Sequence, residues 1–513
     1  MQRRDMLKTL GLAAAAEAAM VSQAAAQAAE PAATAAANPY HSPPGSGISI
    51  PPYYRPTPSV KNRNNYFPQT EELGPDEMRI TFMGSNPWPP RQSQAGTCIM
   101  VELGNGTRLF FDFGPGCLRN IVANQVPIPE INDIFLTHLH VDHFGELPYL
   151  YGFAPMLMRW KPLRVTGPSG RKPEFGTAAM VKSMQQMCAW HTQSFKAVPV
   201  GDGYETEVTE FDHKDDGGIC YNKNGVTVRH WRRSHTMDGA SAYRLDWNGL
   251  SFVWTGDGKA DELTAKYAKG ADVFVSEMAL DNPALWSLKQ GIPVPVGAFT
   301  IDAAHTSHYG VGYLTQLVNP RLGMTTHFSY DRELIGEMIA GVRTHWKGMF
   351  TLGLDNTVVN VTKEAIWVRE AAVPETANTN RPNPKWMVQE MFGGVVPKEI
   401  TLPDPPIKFA DNIDPATRAT EIKPELFTPK DQMRRWVTEW PTGLKIDPAL
   451  LLGQPPGKLH AGTCKRGRCG RHRSRGGCDS RHHPQRLSWG RQDDAAQPHP
   501  QWRPWPARCR AGQ

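Results

Sequence analysis

From Met78 to about Val368, short apolar and β-branched runs alternate with turns rich in Gly, Pro and Asn. That is the pattern of a protein built mainly on sheets. Residues 79–83 read as a strand ending at Gly84-Ser85, and 98–103 with 108–112 read as a hairpin around Gly104-Asn105-Gly106. Residues 131–136 and 162–166 are further strands, the second followed by the turn Gly167-Pro168-Ser169-Gly170. In the second half, strands are expected at 226–231, 242–245, 250–254, 272–277 and 322–326, with a closing hairpin of 357–361 and 365–368. Helical spacing shows at Thr177 to about Trp190, with Ala179, Met180, Met184 and Met187 read as core, and again at 309–318. Strands in two groups, with helices between and after them, predict an α+β fold of two sheets packed face to face under helices.

Polar residues of one kind sit just beyond these strands. Thr137-His138-Leu139-His140-Val141-Asp142-His143 follows the strand at 131–136 and puts four metal-type ligands within six residues. A helix would spread them over its faces and a strand would send alternate ones to opposite sides, so a loop turning them all inward is expected. His138 and His140 can share one metal, and Asp142 and His143 can reach a second alongside it. Imidazoles with a carboxylate suit Zn2+, and Mn2+ or Fe2+ stays open. The second half repeats the arrangement: His235 follows 226–231, Asp257 follows 250–254, and His327 follows 322–326. Two divalent ions about 3.5–4 Å apart can share a hydroxide whose pKa has dropped to about 7, and can polarise the oxygen of an attacked carbonyl, phosphoryl or sulfuryl group. No Ser or Cys nucleophile is then needed.

The succession His138, His140, Asp142, His143, His235, Asp257 and His327 resembles the metallo-β-lactamase superfamily, over a domain at residues 76–372. Within it, Leu109-Phe110-Phe111-Asp112-Phe113-Gly114-Pro115-Gly116, the Gly167–Gly170 turn, His235 shortly before Ala242-Tyr243-Arg244, and His305-Thr306-Ser307 placed 22 residues ahead of His327 are most similar to the ribonuclease Z and arylsulfatase-like branch. The resemblance implies an αββα sandwich with a two-metal site at the edge of the sheets. It implies His138, His140 and His235 on one metal, Asp142, His143 and His327 on the other, and Asp257 bridging them. It gives catalytic roles to Asp142 and to His305, the latter beside the metals, bonding the attacked group or protonating the leaving oxygen. Asp112 is expected beneath the metal loop and His308 on the pocket wall, while His191, His213, His230 and His345 are read as surface or satisfied core residues. There is no counterpart of the flexible tRNA-clamping arm of ribonuclease Z, and oxygen-reducing relatives carry Glu where this chain has His140, which argues against a di-iron redox role. The expected function is metal-dependent hydrolysis of an ester-like bond in a small molecule: a sulfate ester, phosphodiester, lactone or β-lactam. The alternative is a non-catalytic, metal-bound binding or scaffold protein of the same fold, against which the seven intact ligands weigh.

Composition changes the picture mainly at the ends. The chain has 513 residues, 40 % hydrophobic and 21 % charged, as ordinary globular proteins do. No interior run of 18 apolar residues occurs, so no stable membrane anchor is expected past the N-terminus. Gln2-Arg3-Arg4-Asp5-Met6-Leu7-Lys8 and the Ala-rich stretch to about Ala29 resemble a twin-arginine export signal with small-residue cleavage sites near Ala24-Ala25-Ala26. Residues 1–37 are accordingly assigned to signal and linker. The twin-arginine translocation machinery is an expected partner, and the mature protein is expected to be periplasmic or secreted. Residues 38–75, rich in Pro, Asn, Ser and Gly, are expected to form an arm over the domain. Residues 373–456 read as a Pro-rich extension bordering the active-site mouth. Its one helix is capped by Thr428 and carries the stripe Met433, Trp436, Val437 and Trp440. The formal charge of +6 misleads: residues 458–513 carry 2 Lys and 11 Arg against 3 Asp, so the rest of the chain is at −4. An acidic body makes nucleic acid an unexpected partner. Residues 457–513 also hold four of the eight Cys, have almost no aliphatic residues and show no periodicity. They are read as a disordered, dispensable tail whose text resembles a GC-rich gene read out of frame. A basic nucleic-acid arm, or an irregular zinc knuckle of Cys464, Cys469, Cys478 and a His, is the alternative. Cys98, Cys117, Cys188 and Cys220 remain for an oxidising compartment to pair, and a homodimer stays open.

Overall fold

A computed structural model describes residues 64–373 except 69, together with parts of 395–446. Along the first half run β1 (Asn65–Tyr66), β2 (Met78–Gly84), β3 (Cys98–Leu103), β4 (Arg108–Phe111), α1 (Cys117–Ala123), β5 (Asp133–Phe135), α2 (Val141–Phe144), α3 (Leu147–Phe153), β6 (Leu163–Pro168), α4 (Thr177–Met187), α5 (Ala189–Phe195) and β7 (Thr206–Phe211). Along the second run β8 (Ile219–Lys223), β9 (Val226–Arg233), β10 (Ala240–Trp247), β11 (Leu250–Trp254), α6 (Glu262–Tyr267), β12 (Val273–Glu277), α7 (Pro283–Gln290), α8 (Val294–Ala304), α9 (His308–Val318), β13 (Leu322–Thr326), α10 (Ile335–His345), β14 (Phe350–Leu352), β15 (Thr357–Val361) and β16 (Ile366–Ala371). One sheet has the order β1-β16-β15-β2-β3-β4-β5-β6-β7 and the other β14-β13-β12-β11-β10-β9-β8.

The period-two alternation of the strands decides which face each residue buries. In β3, Ile99, Val101 and Leu103 enter the core between the sheets, where Phe252, Trp254, Val273 and Val275 meet them from the second sheet. Cys98 and Met100 point the other way, into a layer closed by α1, α3 and α4. Phe274 and Val253 likewise face α6 and α9 on the outside of the second sheet. Both faces of both sheets are therefore covered, the αββα arrangement that the sequence predicted. Phe111 stacks on Phe135 with ring centroids 5.1 Å apart in the central layer. Each such ring removed from water contributes about 1.5–3 kcal/mol.

Strand direction places the chemistry. β4, β5, β6 and β7 run parallel in the first sheet, and β11, β12, β13 and β14 run parallel in the second. β9 is antiparallel to β10, which is antiparallel to β11, so β9 also points the same way as β11. The C-terminal ends of β4 and β5, and of β9, β11, β12 and β13, gather at one edge, where open α/β sheets characteristically bind ligands.

Several expected elements differ. The strand expected at 131–136 shortens to Asp133–Phe135, and the ligand loop is half helical, because Val141–Phe144 forms one helical turn. α4 stops at Met187; Val181 and Met184 are its buried apolar residues, Ala179 and Met180 are half-buried, and Met187 is 68 % exposed rather than core. Of the arm, Asn65–Tyr66 pairs with β16 as an edge strand. The extension packs on α5, where Asn412 Nδ2 donates to Gln193 O at 2.9 Å, and none of its described residues lines the active-site cavity. Of its expected helix only the turn Lys430–Gln432 is described; residues 433–439, the signal and linker at 1–37 and the tail at 457–513 lie outside the described residues. Cys98, Cys117, Cys188 and Cys220 are all free thiols. Among the described residues no helix is long and apolar enough to cross a membrane.

Candidate metal centre

The edge is built from the backbone outward. Asp112 ends β4 with φ 59°, and His327 ends β13 with φ 57°. Such left-handed conformations cost energy for residues bearing a Cβ and persist where the surroundings impose them. Gly114 lets the metal loop approach: a Cβ there would lie 2.1 Å from the carbonyl oxygen of Asp142. Gly256, at φ 56°, turns the chain after β11 so that Asp257 enters the centre.

The seven predicted ligands converge. His138 Nε2 and His235 Nε2 lie 3.0 and 3.1 Å from His140 Nδ1, and both lie 3.9 Å from Asp257 Oδ2. Beside them His143 Nε2 and His327 Nε2 are 3.1 Å apart, and Asp142 Oδ2 is 3.6 and 3.3 Å from them. Asp257 stands between the groups, its Oδ1 3.4 Å from His143 Nε2 and its Oδ2 3.4 Å from His327 Nε2. Asp257 Oδ1 is shielded from solvent and has no hydrogen-bond partner. Within each of the two groups one ligand atom per residue lies within 4.8 Å of every other.

These donors fit divalent cations. His143 Nδ1 must donate to Asp112 Oδ2, at 2.9 Å, because a carboxylate only accepts. His235 Nδ1 donates to the carbonyl of Ala304 at 2.8 Å. In a neutral ring each bond leaves Nε2 with a free lone pair aimed at the centre, the usual way a metal-ligating imidazole is oriented. Burial, then neighbouring His143, holds His138 well below its ordinary pKa, which keeps that ring neutral. Burial opposes a charge on His143, yet Asp257, Asp112 and Asp142 outweigh it, so the surroundings favour positive charge there. Burial also opposes ionisation of Asp257, and His327, His143 and His138 nonetheless hold it well below the usual carboxylate range. An orphaned carboxylate oxygen among converging nitrogen lone pairs is a cation's environment.

Asp112 lies beneath the loop as expected, accepting from Thr137 N and Trp254 Nε1, both at 2.8 Å, as well as from His143. His305 stands at the rim with Nδ1 3.0 Å from Glu277 Oε2 and 3.9 Å from Asp257 Oδ2. Burial works against a charge on His305, but Glu277, Asp257 and Asp142 raise its pKa to about 9. Glu277 was read only as the end of a strand. It is wholly buried, and its Oε1 accepts from the backbone N–H of Gly258 and Thr306 at 3.0 and 3.1 Å, which fixes the carboxylate that orients His305. The signal for it was available: an acidic residue closing an apolar buried strand needs partners. His308 does not line the cavity as expected. It is buried, and its Nδ1 accepts from the backbone N–H of Asp281. His230 is a core residue stacked on Phe211, and His213 bonds Ser169.

A sandwich of two sheets with a paired His/Asp centre at the strand ends is the architecture of the metallo-β-lactamase superfamily, and residues 93–155 match the model described as "Metallo-beta-lactamase superfamily". The fold is that of this superfamily, and the chain has ribonuclease Z and ribonuclease BN homologues. Ribonuclease BN of Proteus mirabilis is 31 % identical over 171 residues, covering 33 % of this chain and 50 % of that protein. Ribonuclease Z of Mycolicibacterium gilvum is 27 % identical over 205 residues, 39 % of this chain and 68 % of that one. The chain thus spans only half the length of the first of these relatives. Among solved structures, the metallo-beta-lactamase fold protein YhfI from Bacillus subtilis is 16 % identical, with a TM-score of 0.43 over 56 % of this chain and all of that one.

Proposed function

We propose that the chain is an exported, metal-dependent hydrolase of an ester-like bond in a small molecule, with His138, His140 and His235 holding one ion, Asp142, His143 and His327 a second, and Asp257 touching both. The observation that carries this is the convergence of six other ligand residues on Asp257, one of whose carboxylate oxygens is buried and unpartnered. Two bound divalent ions supply a water nucleophile ionised near neutral pH and Lewis-acid polarisation of the attacked group. The chain's own residues do the rest. Asp112 and the carbonyl of Ala304 fix the rings of His143 and His235. Asp142, at the N-terminus of the helical turn, is half-buried, so its carboxylate borders the cavity as well as the centre. Glu277 clamps His305 through Nδ1 and leaves Nε2 to pass a proton to the leaving oxygen in the cavity that His305 lines. Support for a small substrate comes from the acidic body and from a cavity wall poor in cations; support for export comes from Arg3-Arg4 and the Ala-rich stretch behind them.

Metal analysis of the purified protein, paired with a chromogenic panel of aryl sulfate, bis-aryl phosphate, lactone and β-lactam, tests the reading. About two metal equivalents, and turnover of at least one substrate that a chelator abolishes, are expected. Metal held without turnover of any of the four would favour the binding or scaffold alternative. Retention of the Arg3→Lys, Arg4→Lys double variant in the cytoplasm, with the unaltered chain exported, is the expected result for the signal.

A further inference from the structure

The centre forms the floor of a cavity of about 1050 Å³. That volume is at the upper end of small-molecule sites, which run to about 1,000 Å³. Its walls are of a different character from its floor. On one side stands the loop Pro87-Trp88-Pro89-Pro90, with Trp88 72 % exposed. Further wall comes from α7, α8 and the turn between them, all lying between β12 and β13, which present Trp286, Ile292, Val296 and Phe299. Val296 is 50 % and Phe299 69 % exposed, on a helix that buries only Gly297, Ile301 and Ala304. Scattered apolar residues on a surface need no explanation, but a contiguous apolar face opening into a pocket marks a binding site. Charge is scarce on the walls. Among the described residues, apart from the histidines of the centre and its rim, Lys289 is the one basic lining residue, and it is paired with Glu333, while Asp331 is paired with Arg91 at 3.0 Å. A polyanionic substrate would need free cations here. The insertion is also tied to the chemistry: α8 ends at His305, and the carbonyl of its last residue, Ala304, accepts from His235.

We infer that the substrate is an ester with a large apolar body, an extended alkyl chain or fused aromatic rings, whose reacting group meets the His/Asp centre while the body lies between Trp88 and the α7–α8 insertion, and that Trp286, Val296 and Phe299 set this specificity. The inference rests on the hydrolase reading for the reaction, but the fit of the apolar body can be measured without turnover. Alkylphosphonates carry an anionic head able to meet the metal-loaded centre and a tail of chosen length. Methyl-, butyl- and octylphosphonate, each below its micelle range, are titrated calorimetrically into the metal-loaded full chain. Affinity should rise about three- to fourfold per added methylene, the fold-change for taking one CH₂ out of water. The Val296→Ser, Phe299→Ser double variant should lower that slope below about twofold per methylene. The slope is read within each protein, so a general loss of metal or folding, which weakens every phosphonate alike, does not imitate the effect. A flat series in the unaltered chain with methylphosphonate bound overturns the inference and leaves the hydrolase reading standing. Failure of all three to bind overturns it as well. A flat series together with dimerisation that the double variant abolishes would assign the apolar face to a second copy instead. A steep series in a protein that hydrolyses nothing would uphold the apolar site and sink the hydrolase reading.

Discussion

Asp112→Asn isolates what a buried carboxylate does for a metal site it does not touch. Asp112 is inaccessible to solvent, and its two oxygens accept from Thr137 N, Trp254 Nε1 and His143 Nδ1, with the Thr137 hydroxyl reaching both. An asparagine has one acceptor oxygen. If its amide nitrogen replaces Oδ2, it faces two N–H donors, from Trp254 and His143. If it replaces Oδ1, it faces the Thr137 N–H alone. The second placement is cheaper, and it still leaves a buried N–H without an acceptor, at about 1–3 kcal/mol. His143 then donates to a neutral oxygen, a bond about half as strong as one to a carboxylate. Loss of such an orienting partner typically weakens a metal site about 10–100-fold, or roughly 1.4–2.7 kcal/mol. Chelator competition should therefore show the ion at His143 weakened by that factor, and the one at His138, His140 and His235 much less. Denaturant unfolding in chelator should show the apo-protein destabilised by about 1–3 kcal/mol. Two ions bound with unaltered affinity in Asp112→Asn would refute the orienting role.

Asp257→Ala removes the oxygen pair that stands between both groups and should lose both ions and activity together, whereas His138→Ala should mainly empty the first site; about two equivalents and full turnover in Asp257→Ala would show that it bridges nothing. His305→Ala should keep its metals yet lose about 10²–10⁴-fold in rate on an alkyl leaving group, and less on an activated aryl one. Equal losses on both, or loss of metal, would make His305 a structural residue. Acid stability should follow Glu102, where burial favours the neutral acid but Arg79 and Arg108 outweigh it and lower the pKa to about 2. With the folded value below the unfolded one, this stabilisation is complete above about pH 4.5 and fades as the pH falls toward 2, a total on the order of 3 kcal/mol. In chelator, the stability gap between the unaltered chain and Glu102→Gln should close over that window; a gap constant down to pH 2 would contradict the assignment.

The parts of the fold legible in the sequence were those whose burial shows in the residue pattern. β2, β3, β4, β11 and β12 are almost wholly buried, so their apolar runs stand out. β7 and β8 escaped the reading because Thr206–Phe211 and Ile219–Lys223 are half-exposed to exposed throughout, and nothing in their sequence separates them from loop. β14 was missed for the same reason, at three half-buried residues. α2 reads as loop in the sequence because one helical turn is too short to show a period. The loop expectation holds for His138 and His140, which precede the turn, and only Asp142 and His143 lie within it.

The site divided in the same way. Its histidines and aspartates are visible because such residues are rare just beyond apolar strands, and Asp112 beneath them is visible for the same reason, whereas other groups that aim them are hidden in the elements themselves. Glu277 is the clearest case. In the sequence it is the last residue of Asp272-Val273-Phe274-Val275-Ser276-Glu277, and alternation says nothing about which way a terminal residue turns. In the fold, the backbone N–H of Gly258 and of Thr306, more than forty residues apart in sequence, both donate to one of its oxygens, and this frees the other for His305. A buried carboxylate held by two backbone donors is rigid, so it can fix the orientation of an imidazole. The α7–α8 insertion was missed for the opposite reason. Its apolar residues are plain in Val294-Pro295-Val296-Gly297-Ala298-Phe299, but sequence reasoning assigns apolar residues to a core, and here Val294, Val296 and Phe299 stand exposed. A helix that buries Ile301 and Ala304 yet leaves Val294, Val296 and Phe299 exposed, and whose last turn meets His235 and leads into His305, turns a second apolar side toward the cavity.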